Sequence, residues 1–561
     1  MNNTLKLFSI GLIAMVGILA PLLGQEDFEN WMHEGPKKDY PNGIRSAEWY
    51  ATAPASKPKT IIVAVLDSGV DIDHPDLKSN IWVNAGEIAG NGKDDDGNGY
   101  IDDVHGWNFI GGANGQNVVN ESLELTREYA RLRPRWENAD TTKLKGKKKK
   151  EYDAFAKMKS DIETKVQNAQ LQIEQVNGMK AMIMHALEAA RSELKGDTLS
   201  LERLENSTSE DVKLAARIIR NVEDQGMKVE SIDWLIEQAE IQFNDQLAEN
   251  EKIIKYRYNP EYDSRKIVGD QYYDFSNRHY GNNNISGDFA FHGTHVSGII
   301  AAIRNNGEGM NGIADYVAIM PIAAVPDGDE RDKDIANGII YAVDNGAQII
   351  NMSFGKGYSP QKKLVDDAMK YAAKHDVLLV HGAGNEGVNV DVEPNFPNDT
   401  YLKKPLIGRK RAPNMISVGA VSPEGGENTI AEFSNYGKNE VDVFAPGVYI
   451  YSTTPDSSYD YASGTSMAAP VVSGMAALIR SRYPDLSAVQ VKDILMKSTR
   501  PLPEKVMQPG TFEVVKGGDL CISGGMVDVV NAMKLASTTK GKAKLKRRMK
   551  STGYEPESPK A

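Results

Sequence analysis

The chain has 561 residues, room for about two to four domains at 100 to 200 residues each, which excludes a lone small module. Its hydrophobic content of 40 % suffices for a buried core, and 77 acidic against 65 basic residues leave a net charge of -12. That balance excludes a nucleic-acid-binding surface spread over the whole molecule, and the single cysteine, Cys521, excludes both an internal disulfide and a cysteine-based zinc cluster.

Residues 1–24 read as a signal peptide, with Lys6 ahead of an apolar run over 7–23 and the small Gly24 just before Gln25. The run approaches the roughly 20 residues that span a bilayer, but Gly11, Gly17 and Pro21 weaken it as an anchor. Membrane attachment is therefore expected only if the signal stays uncleaved, and the protein is expected to be secreted or periplasmic. Residues 25–44 form a short N-terminal arm.

From 45 to 120, and again from 266 to 536, short apolar runs alternate with Gly, Pro, Asp and Asn punctuation. Residues 60–66, 348–352 and 377–380 read as buried strands, and 334–345 and 364–374 as helices. Continuous apolar strands separated by helices predict a mostly parallel sheet covered on both faces, an α/β fold in three layers. Functional groups then belong at the carboxyl ends of strands and at helix N-termini.

The stretch 121–265 differs in kind. Phe155, Met158, Ile162, Val166, Ala169, Ile173, Val176, Ile183, Leu187, Ala190 and Leu194 recur near the helical period, which predicts a long amphipathic, coiled-coil-like helix. Ser207 and Glu210 have capping-box spacing ahead of Val212, Ala215, Ile219 and Val222, and another helix runs through Ile232, Leu235, Ala239 and Phe243. A helical hairpin or small bundle thus interrupts the α/β domain. It can dock a partner, gate the cleft, or simply decorate the fold. The tail, 537–561, is basic and too poor in apolar residues to fold.

Chemistry concentrates in four places. The first predicted strand runs into Asp67, a carboxylate at the end of an apolar run that needs a partner such as an imidazole N–H, unless it is a turn or cap residue. His292 begins the small-residue segment 291–302, where a general base could face a cleft. His295, three residues on, is expected to be a packed neighbour, because the glutamate and spacing of a zinc helix are missing. Asn385 lies in the glycine-rich stretch 381–387, where its amide could donate to a developing oxyanion or merely shape a turn. Ser466 stands at a predicted helix start, either as a nucleophile beside free backbone N–H groups or as an N-cap, with Pro470 expected in the first turn.

Together these four groups follow the chain order Asp, His, Asn, Ser, and the strings VAVLDSGVDIDHPDL, HGTHVSGIIAA, GAGNEG and GTSMAAPVVSGMAAL resemble the subtilases, the subtilisin-like serine peptidases. The resemblance covers about 350 residues outside the insertion and tail. It implies a subtilisin-like fold and a serine endopeptidase acting on protein or peptide substrates. Asp67 would orient the imidazole, His292 act as base and then acid, Ser466 become acylated, and Asn385 donate to the oxyanion. It further implies that Ser353, Phe354 and Gly355 lie beside the substrate as an edge strand, with Phe354 shaping a subsite and Gly355 permitting close approach, while Gly384 in the glycine-rich stretch is a further substrate-binding candidate. A catalytically inactive, peptide-binding relative is the alternative, and an adaptor built on the helical insertion is a third.

No cofactor is required for this chemistry. A structural calcium ion is a further expectation, since Asp94, Asp96, Asn98, the Tyr100 carbonyl and Asp102 follow the spacing of a calcium loop, although His105 stands where the final Glu would be.

Overall fold

The computed structural model describes residues 28–36, 40–54, 58–224, 228–286, 289–403 and 409–542. The signal expected over 1–24 and the tail beyond Lys542 lie outside them. The chain divides into two compact units. Residues Thr126–Tyr262 form one, and the described residues on either side of that segment form the other. Among the described residues no helix is long and apolar enough to cross a membrane.

The larger unit is organised by a nine-stranded sheet. Its central strands are β1 (Ile61–Asp67), β2 (Val317–Ala323), β3 (Ile349–Met352), β4 (Leu378–Gly382), β5 (Met415–Val421) and β6 (Val443–Pro446). They lie in the order β6, β5, β4, β3, β1, β2, all parallel, and an antiparallel pair lies at an edge, between Arg500–Pro501 and Gly525–Met526. The reason β1 reads as an unbroken apolar run is that both its faces are covered. Ile61, Val63 and Val65 enter one core, while Ala64 and Leu66 enter the other.

Helices α1 (Phe291–Ala301) and α4 (Thr465–Arg482) contribute to the first core, and α2 (Asp332–Asp344) and α3 (Lys362–Lys374) to the second, which makes three layers. The arm that precedes the sheet belongs to this unit too. Trp31 and Ile44 are fully buried, and the Trp31 indole donates to the Val448 and Tyr449 carbonyls. At the other end, the helix Val529–Thr538 carries ordered structure two residues past 536.

The smaller unit is helical. Its long helix, Gly146–Leu194, has 49 residues and so extends about 74 Å at 1.5 Å per residue. Ile183, Leu187, Ala190 and Leu194 pack against Val212, Ala215, Ile219 and Val222 of Glu210–Asp224 and against Leu235, Ala239 and Phe243 of Ile232–Lys252. Ser231 caps the last of these, accepting from Trp234 N at 3.1 Å. The Glu210 helix starts differently from the expected capping box. Ser209, not Ser207, accepts from an amide of its first turn, that of Val212 at 3.4 Å, while the Ser207 hydroxyl accepts from Ser209 N.

Candidate functional site

Because β1, β3 and β4 are parallel neighbours, the segments that leave their carboxyl ends meet along one edge of the sheet. Asp67 ends β1, residues 353–355 follow β3, and Gly384 and Asn385 follow β4. The first turns of α1 and α4 bring His292 and Ser466.

Asp67 is 1 % exposed. Its Oδ1 accepts from Ser68 N and from His292 Nδ1, both at 2.7 Å, whereas Oδ2 is buried without a partner. A carboxylate only accepts, so the proton of His292 sits on Nδ1 and the Nε2 lone pair is left free. Burial pulls the His292 pKa down, but the charge of Asp67 and its hydrogen bond outweigh that and raise it above its ordinary 6.5. The approach is close because residue 293 is glycine, where a Cβ would collide with the Gly69 carbonyl. His295, one turn along, is buried, has Nε2 against the Asp460 carbonyl at 3.1 Å, and is held at a pKa of about 4, chiefly by burial.

Asn385 is oriented by a neighbour the sequence reading passed over. Thr465 donates to Asn385 Oδ1 from its backbone N at 2.8 Å and from Oγ1 at 3.0 Å. With the carbonyl side of the amide so occupied, the Nδ2 donor is turned the other way. Thr465 Oγ1 in turn accepts from Gly384 N at 3.0 Å. Gly384 has φ +104°, a conformation suited to glycine, and a Cβ there would strike Asn435, which holds the loop by donating to Ala383 O and Glu386 Oε2.

Ser466 is the second residue of α4, and its hydroxyl donates to Ser353 O at 3.1 Å, with no hydrogen bond to His292 in this arrangement. The Ser353 hydroxyl returns the contact, donating to Ser466 O at 2.8 Å and accepting from Asn351 Nδ2 at 2.9 Å. Pro470 explains why that carbonyl is open. It lies inside α4 and not in its first turn, and a residue with an N–H there would have bonded Ser466 O.

Of the expected edge residues, Ser353 and Phe354 are buried and Gly355 is exposed. Phe354 O accepts from His381 Nε2 at 2.8 Å. Asn395 fills the space beneath Gly355 and Gly384, donates to Ala383 O, and borders a cavity of about 470 Å³ lined also by His381, Phe396, Met415 and Ser417.

In the acidic loop several of the expected ligands hold backbone amides. Asp94 accepts from the amides of Asn98 and Gly99, and Asp102 from those of Asn91 and Gly92. Asn98 Oδ1 accepts from Tyr100 N, and the Tyr100 hydroxyl donates to Arg278 O. Asp96 instead converges with Glu87 and Asp103, whose carboxylate oxygens lie within 4.8 Å of one another. Glu87 Oε2 is buried without a hydrogen-bond partner. Burial pushes the Asp103 carboxyl up to about 7 against hydrogen bonds from Tyr341, Asn98 and Asn84.

The chain belongs to the subtilase family, whose profile matches residues 58–512. It is 39 % identical over 224 residues to the thermophilic serine proteinase of Bacillus sp. (strain AK1), covering 40 % of this chain and 49 % of that protein. It is 36 % identical over 247 residues to the cell wall-associated protease of Bacillus subtilis (strain 168), 44 % of this chain and 24 % of the relative. To subtilisin DY of Bacillus licheniformis it is 38 % identical over 214 residues, 38 % of this chain and 71 % of the relative. The matched region thus spans half or less of the first two relatives.

Proposed function

We propose that the protein is a serine endopeptidase that forms an acyl-enzyme on Ser466. The observation that carries this reading is the His292 Nδ1 to Asp67 Oδ1 hydrogen bond of 2.7 Å at the sheet edge that also holds Ser466 and Asn385. With Nδ1 committed to Asp67, His292 Nε2 takes the Ser466 proton as Oγ attacks the peptide carbonyl carbon. The oxyanion accepts from Asn385 Nδ2 and the Ser466 backbone N–H. His292 then gives its proton to the leaving amine as the C–N bond breaks. Water attacks the acyl carbon, losing a proton to His292, and the acid departs as Ser466 regains its proton. A small rotation of the Ser466 side chain away from Ser353 O precedes the first step. The substrate main chain pairs beside residues 353–355, where the exposed Gly355 allows close approach.

Labelling by a fluorophosphonate, and cleavage of a peptide library with Ser466→Ala as the blank, test this. Absence of both from folded protein favours the inactive peptide-binding alternative. Export is part of the proposal and rests on the apolar run over 7–23.

A structural divalent cation such as calcium fits Glu87, Asp96 and Asp103, since oxygen-rich carboxylate clusters suit that ion and the orphaned Glu87 Oε2 would gain a partner. It takes no part in the chemical steps. For the helical insertion, gating or docking is tested by excising Thr126–Tyr262, because Glu121, Glu124, Ser264 and Arg265 belong to the larger unit. Unchanged proteolysis with loss of a partner means docking, whereas lost selectivity means gating.

A further inference from the structure

The loop around Lys356 has no role in the chemical steps just described, yet it holds one of the most enclosed cations among the described residues. Its side chain is 2 % exposed, Nζ donates to Glu124 Oε2 at 2.8 Å and to the Glu330 carbonyl at 2.7 Å, and Asp332 Oδ1 lies 2.9 Å away as an ion-pair partner. Two carboxylates and a carbonyl thus surround the ammonium, which has three N–H donors. Burying a lysine costs desolvation and rotamer entropy that an aliphatic side chain of similar length would avoid, so filling space does not account for it. What the triad adds is direction, since it fixes Lys356 relative to three groups on two other segments.

Those segments are the start of α2 and the foot of the insertion. Glu124 begins the helix Glu124–Trp136, and its amide donates to Asp329 Oδ2 at 2.7 Å. Three residues earlier, Glu121 Oε2 accepts from Arg331 Nε at 2.7 Å and from the Ser264 hydroxyl, where the chain returns. On its other side Lys356 follows directly on residues 353–355. Lys356 N donates to Phe396 O at 3.1 Å and Phe396 N to Lys356 O at 2.9 Å. Ser353 is held by Ser466, and Phe354 O by His381. Gly355 alone is exposed, and its amide and carbonyl make no hydrogen bond among the described residues.

We infer that Lys356 is a positioning residue for peptide binding, which sets the register of residues 353–355 and ties it, through Glu124, to the foot of the helical insertion. The inference rests on the peptidase reading above, in which Gly355 offers its main chain to the substrate. Because Lys356 touches no reacting atom, its loss of placement acts on binding of an extended peptide and not on acylation.

The test compares full-length wild type with Glu124→Ala and Glu124→Gln on two substrates. One is an N-acetyl single-residue p-nitrophenyl ester, too short to pair along residues 353–355, and the other is a peptide anilide extended by four residues on the acyl side. Glu124→Ala is expected to raise KM for the extended peptide about tenfold with kcat within twofold, while leaving both constants for the ester within twofold. Glu124→Gln keeps an acceptor for Lys356 and is expected within threefold of wild type throughout. Amide hydrogen exchange over 353–358 should quicken in the Ala variant alone. Equal changes in KM for both substrates, a Gln variant as impaired as Ala, or unaltered exchange would overturn the inference. If Glu124→Ala does not fold, Glu124→Asp, one carbon shorter, takes its place with an expected threefold rise. Fluorophosphonate labelling separates the two levels. A wild type that does not label sinks the peptidase reading, while hydrogen exchange still decides whether Glu124 holds this segment.

Discussion

Replacing Asn385 by alanine removes the Nδ2 donor and leaves both Thr465 donors facing a void. In subtilisin, loss of one side-chain donor to the oxyanion costs roughly 100- to 1,000-fold in kcat, about 2.7 to 4 kcal/mol, and a loss of that size is expected here with KM little changed. The structure adds a graded companion. Thr465→Val keeps the shape of residue 465 and the backbone bond to Asn385 Oδ1 at 2.8 Å, but deletes the Oγ1 bond at 3.0 Å. It also leaves Gly384 N without its acceptor. Weakening one such hydrogen bond is worth about 1 kcal/mol, or roughly fivefold in kcat. Since Thr465 is argued to act through the amide, the double variant should be no slower than Asn385→Ala alone. Steady-state kinetics on an extended peptide anilide, with the acylation burst measured separately, provide the numbers. The reasoning is refuted if Asn385→Ala stays within tenfold of wild type, or if Thr465→Val slows the Asn385→Ala background by a further fivefold.

Asp67→Asn removes the negative charge that raises His292 and leaves the burial that lowers it, so the acid limb of kcat/KM, expected above pH 6.5 in wild type, should move downward. In stability the sign is the reverse of a carboxylate's. A raised His pKa stabilises the fold below about pH 6.5, and that contribution is lost as pH rises through the folded value, which difference titration between wild type and His292→Gln would detect. Chelation should lower the melting temperature of wild type but not of Glu87→Gln/Asp103→Asn, and calorimetry that finds no calcium uptake by wild type discards the Glu87, Asp96 and Asp103 site. Lys333, fully buried against Asp270 Oδ2 at 2.6 Å, should cost about 1.5 to 3 kcal/mol on Lys333→Met, and Lys333→Met/Asp270→Leu should be less stable still, because Asp270 Oδ1 also accepts from buried Arg265 Nε at 2.6 Å. Equal urea midpoints for the single and double variants would contradict that.

The layered sheet was legible in the sequence because its strands are covered on both faces. Burial on both sides forces Ile61 to Leu66 of β1 to be apolar, so the run stands out without any periodicity. The ends of the elements were less legible, as the Ser207 and Ser209 pair makes plain. Both serines suit a cap, and only the path of the backbone decides which hydroxyl meets the first turn. The acidic loop shows a related limit. Spacing counts carboxylates, yet Asp94 and Asp102 spend theirs on nearby amides, and the carboxylates that converge on Asp96 come from Glu87 and Asp103. Long-range partners carry no local signal at all. Lys356 and Glu124 are 232 positions apart, and neither residue is unusual in its own neighbourhood.

Pro470 shows how a local break can serve a distant group. A helix interior normally rejects proline because one carbonyl loses its donor. Here the carbonyl is that of Ser466, and the Ser353 hydroxyl supplies the missing bond while Ser353 O receives the Ser466 hydroxyl. Two reciprocal hydrogen bonds thus couple the proposed nucleophile to residue 353, and residue 356 is coupled in turn to Glu124. On the positioning role proposed for Lys356, a disturbance at Glu124 would reach residues 353–355 before it reaches Ser466. The segment can yield at the exposed Gly355, whereas the Ser353 and Ser466 pair is further anchored by Asn351, whose Nδ2 donates to the Ser353 hydroxyl.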